Sequence, residues 1–164
     1  MQPFTLLIKP TGSDCNVDCE YCFYKCRAPV VGQGRQRMSE EVLERLVKDY
    51  MQLRFALAGF AWQGGEPTLM GLDFYKKAVE LQKQYGIAGQ EVGNSLQTNA
   101  ILLNENWCRF LHESNFLVGV SIDGPKEFHD CYRLDHSGAG TFERVMRAIE
   151  NCKQYQVEFN TLTL

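Results

Sequence analysis

Five short runs rich in β-branched and aromatic residues alternate with segments of helical periodicity, which restricts the chain to a parallel α/β sheet. The runs cover residues 4–9, 59–63, 91–98, 116–122 and 157–164. Between them, Ser39 caps a helix in which Glu40 and Glu41 complement the helix dipole and Leu43, Leu46, Val47 and Tyr50 form an apolar stripe. A second helix spans about Leu72 to Tyr85 and stops at Gly86, a favoured C′ residue. Asn104 caps a third, which holds Trp107, Phe110 and Leu111. Thr141 caps a fourth, with Phe142, Val145, Ile149 and Cys152 on one face. Parallel neighbours need crossover connections, and these are right-handed. A doubly wound sheet and a β/α barrel both satisfy the pattern. The barrel is favoured because the chemically rich segments 15–22, 63–67, 97–99 and 121–124 each fall where a strand ends. In a barrel those ends converge on one face. The expected fold class is therefore α/β, a partial (β/α) barrel of about five parallel strands and four helices. A barrel that stops on a strand leaves an unpaired edge, so residues 1–164 are expected to be the truncated, N-terminal portion of a longer core domain.

Composition narrows the function classes. With 164 residues, 45% of them hydrophobic, the chain has material for one core. A net charge of -3 argues against a nucleic-acid partner, which would require a basic footprint. No apolar run approaches the roughly 18–20 residues that span a bilayer, and the N-terminus lacks the basic start and cleavage site of a secretory signal. Seven cysteines, an odd number, make a poor disulfide framework. A reducing cytoplasm suits them better and leaves thiolates free to bind metal. Lys25, Arg27, Arg35 and Arg37, interspersed with Gly32 and Gly34, read as a solvated loop rather than a docking patch.

Cys15, Cys19 and Cys22 bring three thiols together in the loop after the first strand. A structural zinc site needs a fourth ligand, and Cys26 could supply it. A 4Fe–4S cluster held by three thiolates instead keeps one iron open to a cofactor or substrate. Gln97, Thr98 and Asn99 end the third strand with three consecutive polar side chains, and Gln63 stands similarly at the end of the second. Gln63, Gln97 and Asn99 are candidates to line a cavity there. Asp123, Gly124 and Pro125 read as a turn. Cys108 and Cys152 read as core thiols, and His112, His129 and His136 show no ligand spacing.

The spacing CxxxCxxC, with the aromatic Tyr21 before its last cysteine, resembles the signature of the radical S-adenosylmethionine (SAM) superfamily. Gly64, Gly65, Glu66 and Pro67 resemble its second-strand GGEP motif. The resemblance implies a 4Fe–4S cluster whose free iron chelates the methionine moiety of SAM. One electron then cleaves the sulfonium, and the resulting 5′-deoxyadenosyl radical abstracts a hydrogen atom from substrate. It further implies that the glycine backbone approaches the methionine amino group, that Glu66 offers it an anionic acceptor, and that Pro67 stiffens the turn. Ser121 and Arg133 would lie near the methionine carboxylate, which an arginine fork suits physically.

Within that superfamily the whole chain is most similar to the anaerobic sulfatase-maturating enzymes, on residues 7–10, 22–24, 60–69, 94–99 and 116–125. This implies oxidation of a sulfatase cysteine or serine to Cα-formylglycine, a sulfatase polypeptide as partner, and a low-potential donor of flavodoxin or ferredoxin type. Tyr24, beside the cluster loop, becomes a candidate substrate-cavity residue together with Gln63 and Gln97. Full-length members continue into a SPASM-type region with auxiliary clusters and a carboxylate proposed as base. The expectation is that residues 1–164 start the radical chemistry but do not complete it. Another peptide-modifying radical SAM maturase is the nearest alternative, and a non-catalytic four-thiol zinc domain the more distant one.

Overall fold

A computed structural model describes residues 2–25 and 36–164. Its elements are β1 (Thr5–Ile8), α1 (Glu40–Met51), β2 (Leu57–Trp62), a short 3₁₀ turn (Pro67–Met70), α2 (Leu72–Tyr85), β3 (Glu91–Thr98), α3 (Glu105–Glu113), β4 (Phe116–Ser121), α4 (Lys126–Tyr132), α5 (Phe142–Gln154) and β5 (Phe159–Leu162). The strands form one parallel sheet in the order β1-β2-β3-β4-β5. A doubly wound sheet reverses its strand order partway across. Sequential order with right-handed crossovers instead puts every helix on the same face, which is the winding of a barrel wall.

Side-chain alternation fits that arrangement. Ala58, Phe60 and Trp62 of β2, Leu96 and Thr98 of β3, and Phe116, Val118 and Val120 of β4 are buried towards the helices. The opposite face carries small or polar residues, with Ala61 opposite Ser95, Ser95 opposite Leu117, Gln97 opposite Gly119, and Gly119 opposite Asn160. Leu7 and Leu117 on this face are exposed. Beneath the helices, aromatic contacts run Phe60–Trp62–Tyr75–Trp107, with ring centroids 6.1, 5.5 and 5.4 Å apart. Asn94 Oδ1 accepts from Trp62 Nε1 and from Gln82 Nε2, both at 3.0 Å, which satisfies the polar atoms buried among these rings. Cys108 and Cys152 are buried in this core, their sulfurs 3.9 Å apart.

Local signals were obeyed in part. Ser39 and Asn104 cap as expected, accepting from Val42 N and Trp107 N at 3.2 Å. Thr141 occupies an N-cap position without capping. Its hydroxyl is engaged elsewhere, and Asp130 Oδ1 takes the Phe142 N–H at 2.9 Å instead. Gly86 ends α2 in extended geometry (φ -70°), so its lack of a side chain is not needed for a left-handed turn. Among the described residues there are five helices, one more than the four expected. The extra one, α4, is seven residues long and buries only His129, so it shows no apolar stripe. Lys25 and Arg37 are not merely solvated, since they pair with Asp18 at 2.8 Å and Asp14 at 2.5 Å. Cys26, Arg27, Gly32, Gly34 and Arg35 lie outside the described residues. Among the described residues, no helix is long and apolar enough to cross a membrane.

Candidate active site

The cysteine loop after β1 is held from two sides. On one, Gly65 N–H donates to Gly12 O at 2.9 Å and Glu66 N–H to Asp14 O at 2.8 Å. This approach explains the glycines. A Cβ at Gly65 would lie 2.1 Å from Asp14 O, and one at Gly64, whose φ is +129°, would lie 2.8 Å from Gly12 O. On the other side, Asp18 N–H donates to Leu134 O at 2.7 Å, Glu20 N–H donates to Tyr132 O at 2.9 Å, and the His136 ring contacts Cys15 O at 2.9 Å. The loop is thereby bound to the β2 turn and to the segment following α4.

Cys15, Cys19 and Cys22 open onto one cavity of about 250 Å³. Tyr24, Gly64, Gly65, Gln97, Asn99, Ser121 and Arg133 line it too, so most of the expected site residues come together. Gln97 Nε2 donates to Ser121 Oγ at 3.0 Å, joining the ends of β3 and β4. The Lys9 ammonium sits 5.2 Å above the Tyr24 ring. Gln63 instead borders a second cavity, about 320 Å³, on the open sheet face, where Gln97 also contributes. Glu66 and Pro67 line neither. Glu66 is buried beneath the floor, where its carboxylate accepts four hydrogen bonds from neighbouring residues. Thr68 N–H (3.0 Å), Thr68 OH (2.6 Å) and Thr98 OH (2.7 Å) donate to Oε1, and Asn99 N–H (2.7 Å) to Oε2. Burial pushes this carboxyl's pKa up, and the four donors oppose the shift. Glu66 thus ties the glycine turn to the end of β3. Pro67 opens the 3₁₀ turn, and its carbonyl accepts from Tyr75 OH at 2.9 Å.

Two of the three sulfurs already receive N–H donors. Cys15 Sγ accepts from Val17 N at 3.4 Å and Asn99 Nδ2 at 3.6 Å, and Cys19 Sγ accepts from Arg133 Nη1 at 3.8 Å. Donors aimed at sulfur suit anionic, metal-bound thiolates. Burial pushes the Cys15 thiol up to about 12, and it also raises Cys19 against the pull of Arg133. Metal loading therefore has to expel protons. Among the described residues, no group of three or more His, Cys, Asp or Glu is gathered tightly enough for a single ion. Three thiols opening on one cavity are the donor chemistry that a thiolate-held iron–sulfur cluster takes. The four-thiol zinc alternative rests on Cys26, outside the described residues.

Sequence reasoning passed over part of the site. Asp123, read there as a turn residue, forms a buried fork with Arg133, Nε to Oδ2 at 2.7 Å and Nη2 to Oδ1 at 3.2 Å. Burial disfavours charge on Asp123, but bonds from Arg133 and from the Tyr21 hydroxyl outweigh it and hold its pKa below the usual carboxylate value. His129 is fully buried behind the pair. Its Nδ1 accepts from Asp123 N–H at 3.3 Å, its Nε2 contacts Thr141 Oγ1 at 2.9 Å, and Thr141 OH donates to Arg133 O at 2.8 Å. Burial lowers the His129 pKa, and the Arg133 charge adds to the effect. An acid at a strand end with an arginine ten residues on was the available signal, and the turn-forming Asp-Gly-Pro sequence masked it.

Comparison with known proteins gives concordant results. A family model described as the Radical SAM superfamily matches residues 10–164. A cysteine-type anaerobic sulfatase-maturating enzyme from Clostridium perfringens is 48% identical over 165 residues, covering 99% of this chain and 44% of the relative. A serine-type enzyme from Bacteroides thetaiotaomicron is 42% identical, covering 99% of this chain and 40% of the relative. Among solved structures, one titled "Native anSMEcpe with bound AdoMet and Cp18Cys peptide" superposes with a TM-score of 0.91 at 47% identity, over 99% of this chain and 43% of that one. The chain thus spans less than half the length of the curated relatives it matches.

Proposed function

This chain belongs to the radical SAM superfamily, and on that premise we propose that it carries the cluster and cofactor site of an anaerobic sulfatase-maturating enzyme. The observation that carries the reading is the single cavity shared by Cys15, Cys19 and Cys22 with the glycine turn and the polar ends of β3 and β4. Cys15, Cys19 and Cys22 hold a 4Fe–4S cluster. Bound cluster and S-adenosylmethionine together supply, on one-electron reduction, the 5′-deoxyadenosyl radical that removes a substrate hydrogen atom. The chain's own residues position and shield. Gly64 and Gly65 present backbone at the cavity wall, and Asn99 and Ser121 add polar contacts. Arg133 has N–H groups left over for a carboxylate, since three of its five face Asp123 and Cys19. Tyr24 and Gln97 border the side on which a peptide enters, and Gln63 lies further along the open sheet face. The substrate class is a sulfatase polypeptide, the 48% and 42% identical relatives being named for that activity. A low-potential flavodoxin- or ferredoxin-type protein supplies the electron. A reducing cytoplasm is the compartment this chemistry requires.

The test is anaerobic reconstitution of the protein carrying this sequence with iron and sulfide. A brown protein that forms 5′-deoxyadenosine on reduction with SAM, and removes mass from a sulfatase-motif peptide as its cysteine or serine becomes the aldehyde, is expected. A colourless protein binding one zinc would overturn the radical reading. Deoxyadenosine formed with a peptide left unmodified would overturn the sulfatase assignment alone.

A further inference from the structure

The Arg133–Asp123 pair lies outside what the cofactor reading requires of Arg133, because the guanidinium points at a cluster ligand as well as at the cavity. Its Nη1 donates to Cys19 Sγ at 3.8 Å while its Nε–Nη2 edge is occupied by the Asp123 fork. The two side chains are only 10% and 7% exposed, so solvent screens their charges weakly. Tyr21 closes the remaining side, with its ring 5.3 Å from the guanidinium carbon and its hydroxyl donating to Asp123. Both backbones are fastened through one imidazole. Asp123 N–H binds His129 Nδ1, and Thr141, in contact with Nε2, binds Arg133 O. A surface ion pair would not be gripped at four points.

We propose that this clamped ion pair sets the reduction potential of the cluster through Cys19, with Arg133 favouring the reduced form and Asp123 opposing it. The inference rests on the cluster reading above. Reduction adds one negative charge, shared by cluster and thiolates. A cationic N–H donor on a ligand sulfur stabilises the more negative state, and its hydrogen bond strengthens as the sulfur gains charge. Asp123 offsets that field and fixes how far Nη1 reaches. Arg133 and Asp123 are thus positioning residues that act with opposite sign through Cys19. A purely structural pair would have no sign.

Redox titration of the reconstituted protein without SAM, followed by the electron paramagnetic resonance signal of the reduced cluster, tests this in wild type, Arg133→Gln, Arg133→Lys and Asp123→Asn. Arg133→Gln is expected to shift the midpoint to a more negative potential and Asp123→Asn to a more positive one. Arg133→Lys, which keeps the charge, should stay nearest wild type. Iron-loaded variants that both shift the same way, or do not shift, overturn the proposal. Should Arg133→Gln take up no iron, Asp123→Asn carries the sign test alone, and an unmoved or lowered midpoint is fatal. A wild-type protein that assembles no cluster refutes the underlying cofactor reading instead.

Discussion

Gly65 faces the cysteine loop so closely that a methyl group in place of its hydrogen would collide with the Asp14 carbonyl. The obstacle is backbone held by its own hydrogen bonds, so it cannot rotate away. Gly65→Ala should destabilise the fold by about 1–3 kcal/mol, as overpacking does. It should also separate the cysteine loop from the β2 turn and lower the iron retained on reconstitution. A denaturant midpoint and an iron assay check both. At His129 the consequence is a pH dependence. Its folded-state pKa is lowered from 6.5, so the unfolded chain binds the proton more readily. Stability from the neutral ring is fully present above pH 6.5 and is lost as pH falls from there through the lower folded value. Melting temperature should fall on acidification through that window. His129→Gln, less stable at neutral pH, should lose this contribution to the slope. These residue-level features were the least legible in the sequence. Asp123 and His129 matter through contacts with Arg133 and Thr141, up to twelve positions distant, and no periodicity records such a polar network.

Elements were read more securely where packing is repetitive. Trp62, Leu96 and Val120 alternate with half-buried neighbours because each strand has one covered face, so the strands were found to within about two residues. Sequential order, which distinguishes barrel from doubly wound sheet, was readable only indirectly, from the clustering of motifs at strand ends. The helix α4 went unread because burial of one side chain leaves no stripe. Asn104 and Thr141, both at N-cap positions, have roles that look alike in sequence and differ in the structure. Asn104→Ala should cost about 1 kcal/mol, the usual loss of a cap, without affecting iron content. Thr141→Ala loses no cap, yet it strands His129 Nε2 in a buried site. It should cost about 1–3 kcal/mol and reproduce the pH behaviour of His129→Gln only in part. Thermal melts at pH 7.5 and 5.5 distinguish the two.

The molecule as a whole presents one packed face and one open face to its sheet. Ala61, Ser95 and Gly119 keep that open face shallow beside the thiol cavity. Ala61→Phe should therefore leave the melting temperature and the iron content nearly unchanged. If the face admits a peptide, the variant should depress turnover of a sulfatase-motif peptide by about a hundredfold, the penalty for a misplaced reacting group. Mass spectrometry of the peptide together with deoxyadenosine yield checks this. Uncoupled cofactor cleavage with lost peptide product is the expected pattern. The convergence of the motif segments at the strand ends was anticipated from the sequence, and the open face was not. The identity of the wall residues depended on register.

That strand order also governs the timing of synthesis. Each strand pairs with the one made just before it, so the sheet can assemble from the N-terminus as the polypeptide leaves the ribosome. The thiols cannot keep pace. Cys19 emerges early, but its Arg133 partner lies 114 positions later, and the anchors of its loop, at Tyr132 and Leu134, are equally late. Throughout that interval the cysteine segment is fastened only on the side of the glycine turn. Under the cluster reading proposed above, the surroundings of Cys19 are complete only once the α4 region has docked, and iron insertion is expected to follow that step.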